Sequence, residues 1–239
     1  MSFVINVSGI KVQVQKKEIK NLHLGVYPPD GIVRVSAPLR TTDESIRLAI
    51  VSKLTWIKKQ QQDFTNQPRQ SERKYVSGEC HYFLGKKYRL QLIERNGKHE
   101  IHLLKSGRIK MLVRPDTSIS NKAKLLNDWY RDQINKLLPE LLEKWQPIIG
   151  KQIGSIGIRK MKTKWGSCNI STGHILLNLE LAKKPVQCFE YILVHEMTHL
   201  LERHHNERFK ELMDEFMPKW QSRRNLLNKA PLVHDDWVY

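Results

Sequence analysis

Residues 191–205 read Tyr-Ile-Leu-Val-His-Glu-Met-Thr-His-Leu-Leu-Glu-Arg-His-His. With Phe189 ahead of them, Ile192, Leu193, Leu200 and Leu201 predict a mostly buried helix. His195 and His199 stand one turn apart on one face, so both imidazoles can reach a single ion. Glu196 is offset from His195 by about 100° around the axis. That offset suits a carboxylate that meets a water on the ion without ligating the ion itself. The pattern is H-E-x-x-H, and four of the chain's ten histidines crowd into residues 195–205, where unpaired polar groups would be costly. A zinc hydrolase needs three protein ligands and one open position. His205 supplies a third nitrogen if the chain turns back after His199, and the adjacent His204 competes with it. Asn206 reads as the N-cap of a following helix carrying Phe209, Leu212, Met213 and Phe216.

The rest of the composition bounds what surrounds this segment. The chain has 239 residues, 40% of them hydrophobic and 27% charged, enough for a sizeable core. No apolar run is long enough to cross a membrane, and Met1–Gln15 alternates instead of forming a signal sequence. The three cysteines (Cys80, Cys168 and Cys188) form no CxxC pair, which argues against a disulfide framework and fits a reducing, cytoplasmic setting. A formal charge of +17 points to anionic partners. Residues 1–120 hold 22 Lys+Arg and 10 Asp+Glu, a net of +12; the remainder carries +5. No helix-turn-helix, zinc-finger or RNP signature accompanies the charge, so nucleic acid is a partner that no motif supports.

The first half reads as β-rich. Phe3-x-Ile5-x-Val7, Val12-x-Val14, Leu22-x-Leu24-x-Val26 and Val33-x-Val35 alternate, with a turn at Pro28-Pro29-Asp30-Gly31. Thr42-Asp43 caps one helix running to about Gln62, followed by a polar linker through Ser71. More strands are expected over residues 82–113. From about residue 121 a long amphipathic helix begins, with Pro139 inside it and Gly150 beyond it. Residues 156–164 then predict a strand, Trp165–Asn169 a loop, and Ile175–Leu179 a second strand. Lys160, Lys162 and Lys164 would share one strand face. The expected organisation is α+β, without internal repeats: a β-rich region over 1–118 and a helical catalytic region over 119–239.

Several motifs carry a family resemblance that runs close to full length. They are Pro29-Asp30-Gly31, Ala37-Pro38, Trp56-Ile57, Gly78…Gly85-x-x-Tyr88, Trp129-Tyr130, Lys164-Trp165-Gly166-Ser167-Cys168, Leu177-Asn178-x-x-Leu181, His195-Glu196-x-x-His199 and His205-x-x-x-Phe209. On these the chain resembles the YgjP-like predicted metal-dependent hydrolases, a zincin-like group with a metallopeptidase domain. Two positions depart from the family pattern: His204 stands where Asn is usual, and Asn206 where Ser is usual. The resemblance implies His195, His199 and His205 as metal ligands and Glu196 as the catalytic carboxylate. It also implies an active-site helix packed on a small sheet.

The expected activity is zinc-dependent hydrolysis of peptide or amide bonds, with another divalent metal as the alternative ion. Glu196 would take a proton from the attacking water and return it to the leaving group. Lys164 is a candidate contact for an anionic substrate group, and the loop N–H groups beside Trp165 for a developing oxyanion. Against this, Trp165 reads equally well as a core aromatic and Gly166 as a turn residue. Asn178 is a candidate substrate contact on an edge strand, weighed against a strand-end amide that bonds to backbone. Cys168 and Cys188 read as small buried residues. Glu202, Glu211 and Asp214 are candidates to orient the ligating histidines. Two other functions compete: nucleotide phosphoanhydride hydrolysis, favoured by the charge, and a nucleic-acid-associated protein whose metal is structural.

Overall fold

Alternating apolar residues in Ser2–Val7 (β1) and Ile10–Lys17 (β2) bury one face and leave the other wet. The computed structural model describes residues 2–27, 30–66, 73–161 and 164–229, so the Pro28-Pro29 turn, the end of the linker and Lys162 lie outside the described residues. The described residues fall into two compact units that divide near Ser71, the first before it and the second after it.

In the first unit, His23–Tyr27 (β3) and Ile32–Pro38 (β4) complete a four-stranded sheet of order β1-β2-β4-β3. β2 and β4 are parallel and the outer pairs antiparallel. Val12, Val14, Val33 and Val35 point to one face and form a core with Ile46, Ile50 and Ile57. The expected single helix is two, Asp43–Val51 (α1) and Leu54–Asn66 (α2). Thr42 caps α1 as predicted, accepting from Ser45 N at 3.2 Å. The break falls at Ser52, whose hydroxyl donates to Ala49 O at 2.9 Å and competes with the helical ladder. Apolar spacing continues through the break, which is why the sequence hides it.

The second unit repeats that sheet plan. Cys80–Phe83 (β5), Lys86–Glu94 (β6), Glu100–Leu104 (β7) and Arg108–Val113 (β8) order as β5-β6-β8-β7, again with the middle pair parallel. Both leading hairpins turn on two left-handed residues, Ser8-Gly9 and Leu84-Gly85. That is the backbone twist a two-residue hairpin favours. The repeat escapes the sequence because it is one of backbone plan, with little residue identity behind it.

Ser118 caps a 31-residue helix, Ile119–Ile149 (α3), which Gly150 ends in the left-handed conformation at φ 71°. A three-stranded sheet follows: Ser155–Arg159 (β9), Gly166–Asn169 (β10) and His174–Asn178 (β11), ordered β10-β11-β9. Two expectations change here. The strand over 156–164 stops at Arg159, so the proposed lysine stripe is not a strand face. The segment read as a loop is the strand β10, paired antiparallel to β11. After a short 3₁₀ turn, Leu179–Lys183, come the helices Val186–Thr198 (α4), Glu207–Phe216 (α5) and Trp220–Lys229 (α6).

One core joins all of Glu72–Ala230: Ile109 and Met111 of β8, Trp129 and Tyr130 of α3, Leu177 of β11, and Phe189 and Leu193 of α4. The units therefore divide near Ser71 and not at 118. The second sheet needs α3 and α4 to cover it, and periodicity cannot show which helix covers which sheet.

Glu190, 8% exposed, ties three helices of this unit together. It accepts from Lys144 Nζ at 2.7 Å and Trp145 Nε1 at 3.0 Å on α3, and from Arg223 on α6. Burial acts to raise its carboxyl; the hydrogen bonds from Lys144, Arg223 and Trp145 outweigh burial and hold it below the ordinary glutamate value. A carboxyl depressed in the folded state contributes stability above its unfolded value near 4.5, and that stability is lost as pH falls through the folded value. Glu190→Gln should therefore flatten the acid limb of stability below about pH 4.5 and cost roughly 2–3 kcal/mol at neutral pH, less than a fully buried pair because Lys144 is half exposed. Urea unfolding of both proteins from pH 3 to 7 checks this; parallel acid limbs would refute it.

Candidate metal centre

α4 ends at Thr198, one residue before the second histidine of the motif, so His199 is its C-cap. Leu200 N, Leu201 N and Glu202 N bond back to Met197 and Thr198 carbonyls and turn the chain. Asn206 then caps α5 as predicted, accepting from Phe209 N at 3.0 Å. This turn returns His205 to α4. Ligand atoms of His195, His199 and His205 lie within 4.8 Å of one another. His205 Nε2 and His195 Nε2 are 2.9 Å apart. Two histidine nitrogens on one tetrahedral zinc sit about 3.3 Å apart, given Zn–N distances near 2.0–2.1 Å. Spacing left His204 as a rival to His205; the turn leaves it outside the cluster, its backbone N–H donating to the Glu202 carboxylate at 3.0 Å and its carbonyl accepting from Asn206 N at 2.8 Å.

The three residues also fit a cation chemically. Burial first, then the neighbouring His199 and His205, pushes His195 down to about 3. Burial likewise lowers His199. Both rings are thus neutral at pH 7 and carry a lone pair for an ion. His199 Nδ1 lies 3.0 Å from the backbone carbonyl of Glu202, which fixes Nε2 as its free nitrogen. No carboxylate among the predicted three does this work: Glu202 serves His204 N, Glu211 pairs with Arg208 at 3.4 Å, and Asp214 accepts from Trp220 Nε1 at 2.7 Å. Phe209, 3% exposed, backs the triad, its ring centroid 4.8–4.9 Å from all three imidazoles. An aromatic floor removes competing hydrogen-bond partners from that side.

Glu196 is 6% exposed. Burial raises its carboxyl to about 7, with Lys164 acting in the opposite direction. Its position depends on Gly166. A Cβ at Gly166 would lie 2.5 Å from Glu196 Oε1 and 2.6 Å from its Cγ, and Gly166 has no positive φ. Gly166 is therefore present for close approach of the carboxylate, not for a tight turn.

A cavity of about 540 Å³ opens over these groups. Lys164 and Trp165 line it, as do Arg203, Tyr191 and Arg224, which the sequence did not single out. Trp165 also packs against the main core, as its core-aromatic reading expects. Beside it stands Lys184, 4% exposed, its Nζ 5.6 Å from the Trp165 ring centroid and its ammonium pushed down to about 8 by burial. Cys168 reaches the cavity, but burial and then Glu196 push its thiol up to about 11, so it is protonated at neutral pH and no nucleophile. Cys188 is buried and raised in the same way.

Asn178 is 2% exposed and its amide is committed to backbone. Nδ2 donates to Met161 O and Lys164 O, both at 2.8 Å, and Oδ1 accepts from Glu180 N at 3.1 Å. It pins the segment carrying Lys164 and does not line the cavity, which is the strand-end reading in place of substrate contact. Its expected edge strand is the centre of its sheet.

The sequence pattern of the family "YgjP-like, metallopeptidase domain" matches residues 20–230. The chain belongs to that family. No curated protein matches the sequence. Among solved structures, the metallopeptidase zymogen abylysin of Pyrococcus abyssi is similar over 37% of this chain and 90% of its own, at 23% identity and a TM-score of 0.35.

Gly166→Ala should cost about 1–3 kcal/mol through overpacking against Glu196. Asn178→Ala should cost a comparable amount by leaving buried backbone groups unpaired. Denaturant unfolding measures both; a change below about 0.5 kcal/mol in either would contradict the contact it removes.

Proposed function

We propose that the chain is a hydrolase that works through a divalent metal, zinc by the chemistry of its donors, and that it cleaves peptide or amide bonds. The observation that carries this reading is the convergence of three imidazoles, with nitrogens inside 4.8 Å, beside a buried carboxylate in a cavity. An all-nitrogen set suits zinc and disfavours magnesium, which prefers carboxylate oxygens. His195, His199 and His205 would hold the ion, leaving one position open towards the cavity. When bound, the ion would supply Lewis acidity that eases loss of a proton from water.

The remaining work falls to the chain's own groups. Glu196 accepts the proton of the attacking water on its carboxylate and hands it to the departing amine. Gly166 sets where that carboxylate stands. Lys164, anchored through its carbonyl to Asn178, presents an ammonium on the cavity wall. A second reading draws on the same wall. Lys164, Arg203 and Arg224 line the cavity, Lys164 close enough to Glu196 to lower its carboxyl. Three cations on one wall favour an anionic substrate, so hydrolysis of a nucleoside triphosphate at a phosphoanhydride bond is the alternative.

The deciding experiment combines metal analysis with parallel assays on peptides and nucleoside triphosphates. Wild-type protein should bind one zinc per chain, and His205→Ala should lose it. Glu196→Gln should keep its zinc while turnover falls at least ~10²-fold, the usual scale for removing a general base. Gly166→Ala should likewise keep zinc and lose turnover. Protein that takes up no transition metal on loading, or a Glu196→Gln protein of full activity, would sink the proposal.

A further inference from the structure

The first unit has one sheet face that the helices do not need. Inward valines occupy Val12, Val14, Val33 and Val35, so the pairing sends the intervening residues outward together. Across the sheet these form three rows: Asn6, Lys11, Ile32 and Tyr27; Val4, Gln13, Arg34 and Gly25; Ser2, Gln15, Ser36 and His23. Lys17 ends β2 on the same side. None of these outward positions carries a carboxylate.

The face also has a built aromatic feature. A Cβ at Gly25 would lie 2.8–2.9 Å from the Tyr27 ring, so the ring lies across the sheet in the space a side chain would fill. The Arg34 guanidinium stands 5.6 Å from that ring's centroid and donates through Nε to Gln13 Oε1 at 2.9 Å. The patch surrounds a shallow concavity of about 500 Å³ lined by Gln13, Gln15, Lys17, Tyr27, Arg34 and Ser36. Lys11 and Lys17 lie six positions apart on β2, about 20 Å along the strand.

We propose that this face binds single-stranded nucleic acid, with Tyr27 as a stacking plate for a base and Lys11, Lys17 and Arg34 facing phosphates. A flat ring set among cations and amides is the recurring means of holding unpaired bases without reading their sequence. The amides of Gln13 and Gln15 offer donors and acceptors to base edges. A duplex keeps its bases stacked on one another and presents none to the ring. This site is built wholly from residues of the first unit.

Fluorescence anisotropy of the full chain with labelled rU12, dT12 and a 12-bp duplex tests it across a salt series. Both single strands should bind more tightly than the duplex, with affinity falling as salt rises. Tyr27→Ala should weaken single-strand binding roughly 5- to 100-fold, the range for one lost stacked base, while Tyr27→Phe should not. Lys17→Glu, an exposed change that leaves the core intact, should weaken it more than Lys151→Glu in the second unit. No binding at low salt overturns the proposal. So does duplex binding as tight as single-strand binding, or equal losses from Lys17→Glu and Lys151→Glu, either of which would assign the attraction to the overall charge of +17.

Discussion

Imidazoles gathered inside 4.8 Å form a ligand set only while they stay neutral, and nearly every local feature of the second unit serves that condition. Burial lowers His195 and His199. Phe209 touches all three rings and offers them no hydrogen bond. The helix that carries the first two histidines must stop at the second, or the third could not come back. Thr198 marks that stop: its hydroxyl bonds to Val194 O at 2.8 Å while three following N–H groups fold onto the last helical turn. The Asn206 cap then launches α5 with Phe209 already in place beneath the cluster.

The histidine-bearing segment was legible because its chemistry and its helix share one period. Histidines at i and i+4, an apolar remainder and a capping Asn are all local signals; they left His204 and His205 as rivals for the third place, and the structure brings His205 to His195 and His199. The β-rich first half was legible for the same reason, period-two alternation. What stayed hidden depends on surfaces meeting across long separations. Gly166 looked like a turn residue because a lone glycine in sequence means backbone freedom. Its actual constraint is the carboxylate of Glu196, thirty residues later. Asn178 could be read as a substrate contact or as a strand-end amide, because its carbonyl partners, Met161 and Lys164, come from another segment. The orienting group for His199 is a backbone carbonyl, which no residue-type search detects.

The division of the chain was misread for a related reason. A change from strand to helix periodicity near residue 118 marks a change of element, and a compact unit needs both kinds to close its core. The β5–β8 sheet buries Leu90, Ile109, Met111 and Val113 against α3, and Tyr130 of α3 donates to Tyr82 O of β5 at 2.8 Å. Separating the two would expose a full sheet face.

The duplicated sheet plan shows how one backbone design takes on two tasks. In each unit the same strand order buries one face against helices. In the second, the β5–β6 hairpin tip is also bonded to the 3₁₀ turn, through Leu84 N to Ala182 O at 2.8 Å and Gly85 N to Lys183 O at 3.3 Å. A Cβ at Gly85 would meet Pro185 Cα at 3.0 Å. That turn leads directly into α4, so the hairpin braces the start of the helix that bears His195, Glu196 and His199. The equivalent tip in the first unit, Ser8-Gly9, has open space around its glycine. There the plan braces no histidine-bearing helix, and its outward face carries Lys11, Lys17, Tyr27 and Arg34 instead.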